Sequence, residues 1–260
     1  MKSVILAISI ALTLSNAHAE QPFTVFTVDK GLQAKGAEPY TLLTHHYWFD
    51  RPDGKYDFSK HSPERTRKFL PSKAKQAQGP LVIDIECWKL TPETRDDVYH
   101  EMLSVANTVR QIAPEKRIGW YAYLPIRDYW TPTHFKPTDP EYQSWTTTNR
   151  DNIATFGHLF DFVAPSIYTF YEKDTIDSWS KYADANIEQC VGANKQIYAF
   201  VMPKYHQTLK PIPDELWRQQ LRFLRDHKHC NGVFIFAHKI KHDWQTAVAE
   251  ELLKPQSNAK

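Results

Sequence analysis

Two acids, Asp84 and Glu86, stand at i and i+2 in Val82-Ile83-Asp84-Ile85-Glu86-Cys87-Trp88, at the end of a run with strand character. Leu81, Val82, Ile83 and Ile85 are the apolar, β-branched residues of a strand covered on both faces. Side chains alternate along a strand, so the two carboxyls project to one side, about 6.6 Å apart along the backbone. Desolvated charges cost several kcal/mol each, so a sheet interior holds two carboxylates only with a use for them. Close together, they oppose each other's ionisation and retain one proton near neutral pH, as an acid catalyst of glycosidic cleavage requires. A pair of acids bound by lysine or arginine at a strand end would read the same way. On this motif alone both readings stand.

The other reactive residues form weaker patterns. His227-Lys228-His229-Cys230 contains metal-capable side chains but closes a helix, where cations are favoured by the helix dipole. No metal is expected there. His45 and His46 are adjacent on an expected strand and should point to opposite faces. Cys87 has the opposite parity from Glu86 and should face away from any cavity. No Gly-x-Ser-x-Gly elbow and no phosphate loop occur, and no cofactor is implied.

Seven strands are expected to position these groups: Phe23–Val28, Leu42–Trp48, Leu81–Glu86, Ile118–Leu124, Phe160–Tyr168, Ile197–Met202 and Val233–Ala237. Helical signals lie between them. Thr91-Pro92-Glu93 gives an N-cap, a proline at N1 and an acid in the first turn. The stripe Val98, Met102, Val105, Val109 and Ile112 follows, stopped by Pro114. Asp174 is the expected cap of a helix carrying Ile176, Trp179, Ala183, Ile187 and Cys190, ended by Gly192. Pro213-Asp214-Glu215 opens another, and His242 or Asp243 the last. Strands alternating with helices imply a parallel sheet. Without a GxGxxG turn, and with polar and aromatic residues gathered at the C-terminal strand ends, a TIM-like (β/α) barrel of about seven strands is favoured over an open sheet.

Residues 1–19 read as a secretory signal peptide, with Lys2 as n-region, Val4–Leu14 as h-region and Ala17-His18-Ala19 as cleavage site. Residues 20–260 then form one exported domain, secreted or periplasmic, with no membrane span. The formal charge of +2 argues against general nucleic-acid binding. The 8 Trp, 13 Tyr and 14 Phe exceed what a core alone needs, so some are expected to stack on sugar rings, most to pack inside. Three cysteines leave an odd one in an oxidising compartment. Cys190 and Cys230 each close a helix before a strand and are expected to form a disulfide, leaving Cys87 free.

With the strand ends placed, the chain resembles the hyaluronidase family of β-N-acetylhexosaminidases. Val82–Trp88 is similar to the family's V-I-D-W-E-x-W. Pro22-Phe23, Gly119-Trp120-Tyr121, Pro165-Ser166-Ile167-Tyr168, Val201 to Tyr205, Pro213-Asp214-Glu215-Leu216 and Gly232-Val233 follow its landmarks in order. The resemblance implies a distorted barrel of fewer than eight strands and retaining hydrolysis in which the substrate's acetamido oxygen is the nucleophile. It makes Glu86 the acid/base, Asp84 the residue that holds the acetamido group and keeps Glu86 protonated, and Tyr168 a further acetamido ligand. Tyr205 would orient the site, and Tyr129 would stand in for the family's tyrosine after the fourth strand. Tyr47, Trp88, Lys204, Phe236 and His238 complete the expected substrate-binding set. Lys89, Arg127, Lys204, Lys239 and Lys241 are candidate cations for a polyanion groove.

Departures from the family pattern are Ile85 between the acids and Phe236-Ala237-His238-Lys239 where the family is Trp-rich. The expected partner is a polysaccharide, hyaluronan- or chondroitin-like, and the expected state a monomer. An inert glycan-binding barrel and a muramidase-like hydrolase of cell-wall glycan remain as alternatives.

Overall fold

The computed structural model describes residues 23–28, 36–237 and 243–254. The expected signal peptide, His238, Lys239 and Lys241 lie outside them. Among the described residues seven parallel strands close a barrel in sequence order: β1 (Thr24–Val28), β2 (Glu38–Leu43), β3 (Leu81–Ile83), β4 (Ile118–Tyr121), β5 (Phe162–Ala164), β6 (Gln196–Val201) and β7 (Gly232–Ile235). β1 closes the ring by pairing with both β2 and β7. Each expected strand is present, but most end sooner than their apolar runs. β3 keeps one ladder contact beyond Ile83, from Asp84 N to Leu43 O (2.9 Å), and then leaves the sheet. β2 stops at Leu43, and His45–Tyr47 turn into a 3-10 helix. Both histidines are therefore exposed, not divided between two strand faces.

Around the barrel run α1 (Pro63–Gln76), α2 (Arg95–Ile112), the single turn α3 (Thr131–His134), α4 (Pro140–Phe156), α5 (Ile176–Cys190), α6 (Asp214–Asp226) and α7 (Gln245–Glu251). α2 buries the expected stripe of Val98, Met102, Val105 and Val109, but its cap is Thr94, because Thr91 and Thr94 bond each other in the turn before it. Thr175, not Asp174, caps α5, in a reciprocal box with Ser178; Asp174 Oδ2 instead accepts from Tyr171 N. That helix runs into a 3-10 turn closed by Asn194 at φ 50°, not by Gly192. α1 and α4 carry no regular apolar stripe: α1 buries only Thr66, Leu70 and Ala74. Their caps are the legible signal, Ser62-Pro63 and Asp139-Pro140.

Alternation along the strands divides the core in two. Leu81, Ile83 and Ile85 point outward to the helices; Val82 points into the lumen. The lumen is filled mainly by aromatic rings. Phe234 stacks on Phe26 (4.7 Å) and Phe200 (5.0 Å) and meets Tyr40 edge-on (4.9 Å), while Tyr121 lies 4.8 Å from Phe200. Much of the aromatic excess is thus interior, and each such pair adds about 0.5–1.5 kcal/mol to its burial. Gly119 is what lets Phe162 enter: a Cβ there would lie 2.1 Å from the ring. Gly119→Ala should destabilise the fold by about 1–3 kcal/mol or more. Thermal denaturation at the wild-type Tm would mean that the Phe162 ring has another place to go.

The expected Cys190–Cys230 disulfide is not formed; both are buried free thiols. Cys190 Sγ is directed to Asn186 O (3.3 Å) and Leu124 O (3.7 Å), and Cys230 Sγ to Gly232 O (3.3 Å). Burial raises both thiols, Cys230 to about 11. No described helix is long and apolar enough to cross a membrane.

Candidate active site

Past Ile83 the chain keeps strand parity, so Asp84 follows Val82 toward the lumen while Ile85 packs outward. The two carboxyls then meet different surroundings. Asp84 is mostly buried, and Tyr40, Glu86 and Arg127 act on it electrostatically. Burial, then the Glu86 charge, push its carboxyl up to about 6 against the opposing pull of Arg127. Glu86 is half-exposed, and its Oε2 accepts an ion pair from Arg127 Nη1 at 3.1 Å. Of the two, Asp84 is the carboxyl pushed toward neutrality, because it is the one packed into the barrel mouth.

Tyrosines floor the mouth. Tyr121 Oη lies 3.2 Å from Ser166 Oγ and 3.5 Å from Arg127 Nη1, and its ring is 5.9 Å from that of Tyr168. Burial, then Tyr121 and Tyr40, raise Tyr168 well above the ordinary phenol, so it is a neutral donor at any working pH. Tyr182 Oη donates to Ser166 O (2.5 Å), and its ring stacks on Tyr129 at 5.0 Å. Tyr129 sits beneath the Arg127 guanidinium, 5.9 Å from its centroid. Its buried hydroxyl has the Ser166 and Tyr182 side chains as neighbours, short of a well-aligned hydrogen bond to either.

Of the residues singled out from sequence, Asp84, Glu86, Tyr129, Tyr168 and Arg127 come together. Tyr205 does not join them. Its charged neighbours are Glu172 and Asp174, whereas the next residue, His206, interacts with Glu86 and Arg127 and stacks on Tyr168 at 5.4 Å. Backbone bonds from His206 N to Thr169 O (2.7 Å) and from Tyr205 N to Lys210 O fix this choice. Burial, then Arg127, lower the His206 imidazole, and its buried Nδ1 has no hydrogen-bond partner among the described residues. Trp88 is largely a core residue: Nε1 donates to Phe58 O (3.0 Å), and the ring meets Phe49 and Trp120. Tyr47 packs on the outer core beside Trp48, and Phe236 lies half-buried at the lumen edge. Lys204 bridges to Pro211 in the loop after β6. His238 falls outside the described residues.

Tyr182 is a site residue that sequence reasoning does not single out, while Tyr121, Ser166 and His206 are expected on the rim as strand-end residues without an assigned role. Tyr121 and Ser166 stand at strand ends on the rim, which is the available signal. Trp130 is a further addition. It is 55% exposed three residues from Arg127 and stacks on His134 at 3.4 Å.

A cavity of ≈ 340 Å³ opens beside Glu86, lined by Trp88, Lys89, Ala122, Tyr123 and Arg127 among others. That volume is within the range of small-molecule sites. Ala122 holds φ 56°, a left-handed conformation that costs a non-glycine residue about 1–2 kcal/mol and is typical of functional rims. A second, more open cavity of ≈ 580 Å³ continues past Ile126 and Arg127 to Asp128, Glu141 and Trp145. Arg127 stands where the two meet.

Elsewhere Asp184, Glu188 and His227 offer oxygen or nitrogen atoms within 4.8 Å of one another. His227 Nδ1 accepts from His229 N (3.2 Å), so its Nε2 bears the proton and donates to Asp184 (3.2 Å). That tautomer is a hydrogen-bond donor, not a ligand, and the cluster reads as a hydrogen-bonded link between α5 and the loop after α6.

No family model matches the chain, and no curated protein matches it in sequence. Solved structures do match in fold. Bee venom hyaluronidase aligns at a TM-score of 0.56 and 13% identity over 83% of this chain and 86% of that one. The same enzyme in complex with a hyaluronic acid tetramer aligns at 0.55 and 12%, over 82% and 84%. The PgaB glycoside hydrolase domain from Bordetella bronchiseptica is more distant, at 0.46 and 13% over 85% and 77%, and adds no weight. The chain therefore has the closed, helix-wrapped barrel found in a hyaluronidase. At these identities the likeness is one of fold.

Proposed function

We propose that this protein is an exported glycoside hydrolase that cleaves β-linked N-acetylhexosamine polysaccharides with substrate assistance and retention of configuration. One observation carries the reading. Two carboxyls of one strand end share the barrel mouth, one buried and raised to about 6, the other open to the cavity. Such separation of environments is how one acid and one stabiliser are made from two carboxyls. Glu86 meets the leaving oxygen as acid. Asp84, with the Tyr168 hydroxyl, orients the acetamido group, and its carboxylate opposes the positive charge that develops there. Both carboxyls face the same way, so they cannot flank the sugar as an inverting pair does at about 6.5–9.5 Å. The nucleophile is then the substrate's own acetamido oxygen. The hyaluronic acid tetramer bound by the bee venom enzyme supports a polymer of this kind.

A second reading, an inert glycan-binding barrel, is favoured by the Arg127–Glu86 ion pair, which occupies the expected acid with a cation. Incubation with hyaluronan, chondroitin, chitin oligomers and peptidoglycan, with products sized, separates the two and names the polymer. Proton NMR of the first product should show the β-anomer, and a de-acetylated polymer should resist cleavage. An initial α-anomer, or equal cleavage of both polymers, would remove the protein from this mechanistic class.

A further inference from the structure

The glycosidase reading leaves one contact unexplained: the residue cast as acid is engaged by a cation. Arg127 comes from the loop after β4 and reaches Glu86 Oε2 at 3.1 Å, with 28% of its own side chain and 47% of the Glu86 side chain exposed. It is held loosely otherwise, by a 3.5 Å contact to Tyr121 Oη and by the Tyr129 ring beneath it. Its neighbour Asp128 is occupied, its Oδ1 accepting from Trp130 N (2.8 Å) and Thr131 N (2.9 Å). In the cavity beside Glu86, Arg127 and Lys89 are the cations, and Glu86 is the acid opposite them. A fork-shaped donor that gives one contact to a half-exposed carboxylate can turn to a better partner.

We infer that Arg127 is a carboxylate-operated latch on Glu86: the carboxylate of a uronic-acid sugar entering this cavity takes over the guanidinium, and Glu86, released from its ion pair, accepts a proton. The inference rests on the proposed hydrolase and concerns how the acidic sugar of such a polymer would switch on that same site. The balance is simple. The proton leaves an Asp84 oxygen and arrives on a Glu86 oxygen, Asp84 becomes the anion that faces the acetamido group, and Arg127 exchanges one carboxylate for another. Net charge is unchanged. The groups facing Glu86 are Asp84 and Cys87 on its own strand end, Tyr121, Arg127 and Tyr129 from β4 and its loop, and His206 from the loop after β6. Of these only Arg127 is a permanent cation; it favours the charged form of both carboxyls, and because its direct contact is to Glu86, its departure favours a proton on Glu86 more than on Asp84.

The test uses hyaluronan hexasaccharide and the same oligomer with its carboxyls reduced to alcohols. Carbon NMR of labelled glutamate, with the Glu86 signal assigned by its disappearance in Glu86→Gln, reads protonation at pH 6 without needing turnover. The acidic oligomer should move the Glu86 carboxyl toward its protonated position; the reduced oligomer should not. In Arg127→Gln the carboxyl should be partly protonated before any ligand is added, and Arg127→Lys, a cation without the fork, should keep the ion pair but respond less than wild type to the acidic oligomer. If wild type hydrolyses both oligomers, Arg127→Gln should lose its preference for the acidic one by about tenfold in kcat/KM, with the alkaline limb on the reduced oligomer moving up. Equal movement of Glu86 by both oligomers, or an unchanged preference in Arg127→Gln, overturns the latch. Absence of hydrolysis overturns the hydrolase, while the NMR comparison still decides the latch.

Discussion

Glu86→Gln should lower kcat by about 10²–10⁴-fold, the contribution of a positioned general acid, while the fold stays intact. The amide matches the carboxyl in shape but cannot give the leaving oxygen its proton. Stability should change little, because the Glu86 carboxylate is tied to the fold by a half-exposed ion pair with Arg127, of a kind worth about 0–1 kcal/mol. The defect should also depend on the leaving group. An aryl glycoside, whose phenolate departs unprotonated, should recover most of the first step, and a natural polymer should not. Turnover of the polymer by Glu86→Gln within a few-fold of wild type would take the acid role away from Glu86.

Asp84→Asn should make the protein more stable and less active, and the stability gain should depend on pH. The Asp84 carboxyl titrates at about 6 in the folded chain, against about 3.9 for an unperturbed aspartate. Because the folded value is the higher, folding takes up a proton between them. The contribution of Asp84 is whole below about pH 4 and declines as pH rises through about 6. Above that the buried carboxylate costs the fold roughly 2–3 kcal/mol, at about 1.36 kcal/mol per pKa unit. Asparagine has no such charge. Urea denaturation should find the variant more stable than wild type at pH 7.5 and nearly equal to it at pH 4. The same gain at both values would show that the effect is packing, not ionisation. Hydrolysis should fall by orders of magnitude at every pH, because no anion is then present to orient the acetamido group. Stability given up at a site for the sake of chemistry is a recurring trade.

The sequence by itself determined the framework on which these groups stand. Seven apolar runs separated by capped helices allow little but a parallel barrel. Parity along Val82, Asp84 and Glu86 put both acids on the lumen side, because side-chain alternation is a local property of the backbone. It also placed Tyr168 and Arg127 on the same rim. Tertiary structure decided what spacing cannot encode. Which carboxyl is the more buried depends on neighbours brought over from other strands, Tyr40 of β2 among them, and so Asp84 is the one raised toward neutrality. His206, not Tyr205, faces the site because backbone bonds from His206 N to Thr169 O and from Tyr205 N to Lys210 O set the register of an irregular loop, where no periodicity exists to read. Trp88 became mainly a wall of the core because Phe49, Phe58 and Trp120 close on it. Cys190 and Cys230 are both buried, yet their sulfurs turn to different carbonyls, a choice made by side-chain direction and not by helix-end position. The Arg127–Glu86 pair joins residues 41 positions apart, and only the parallel pairing of β3 with β4 brings their C-terminal ends side by side so that they can meet.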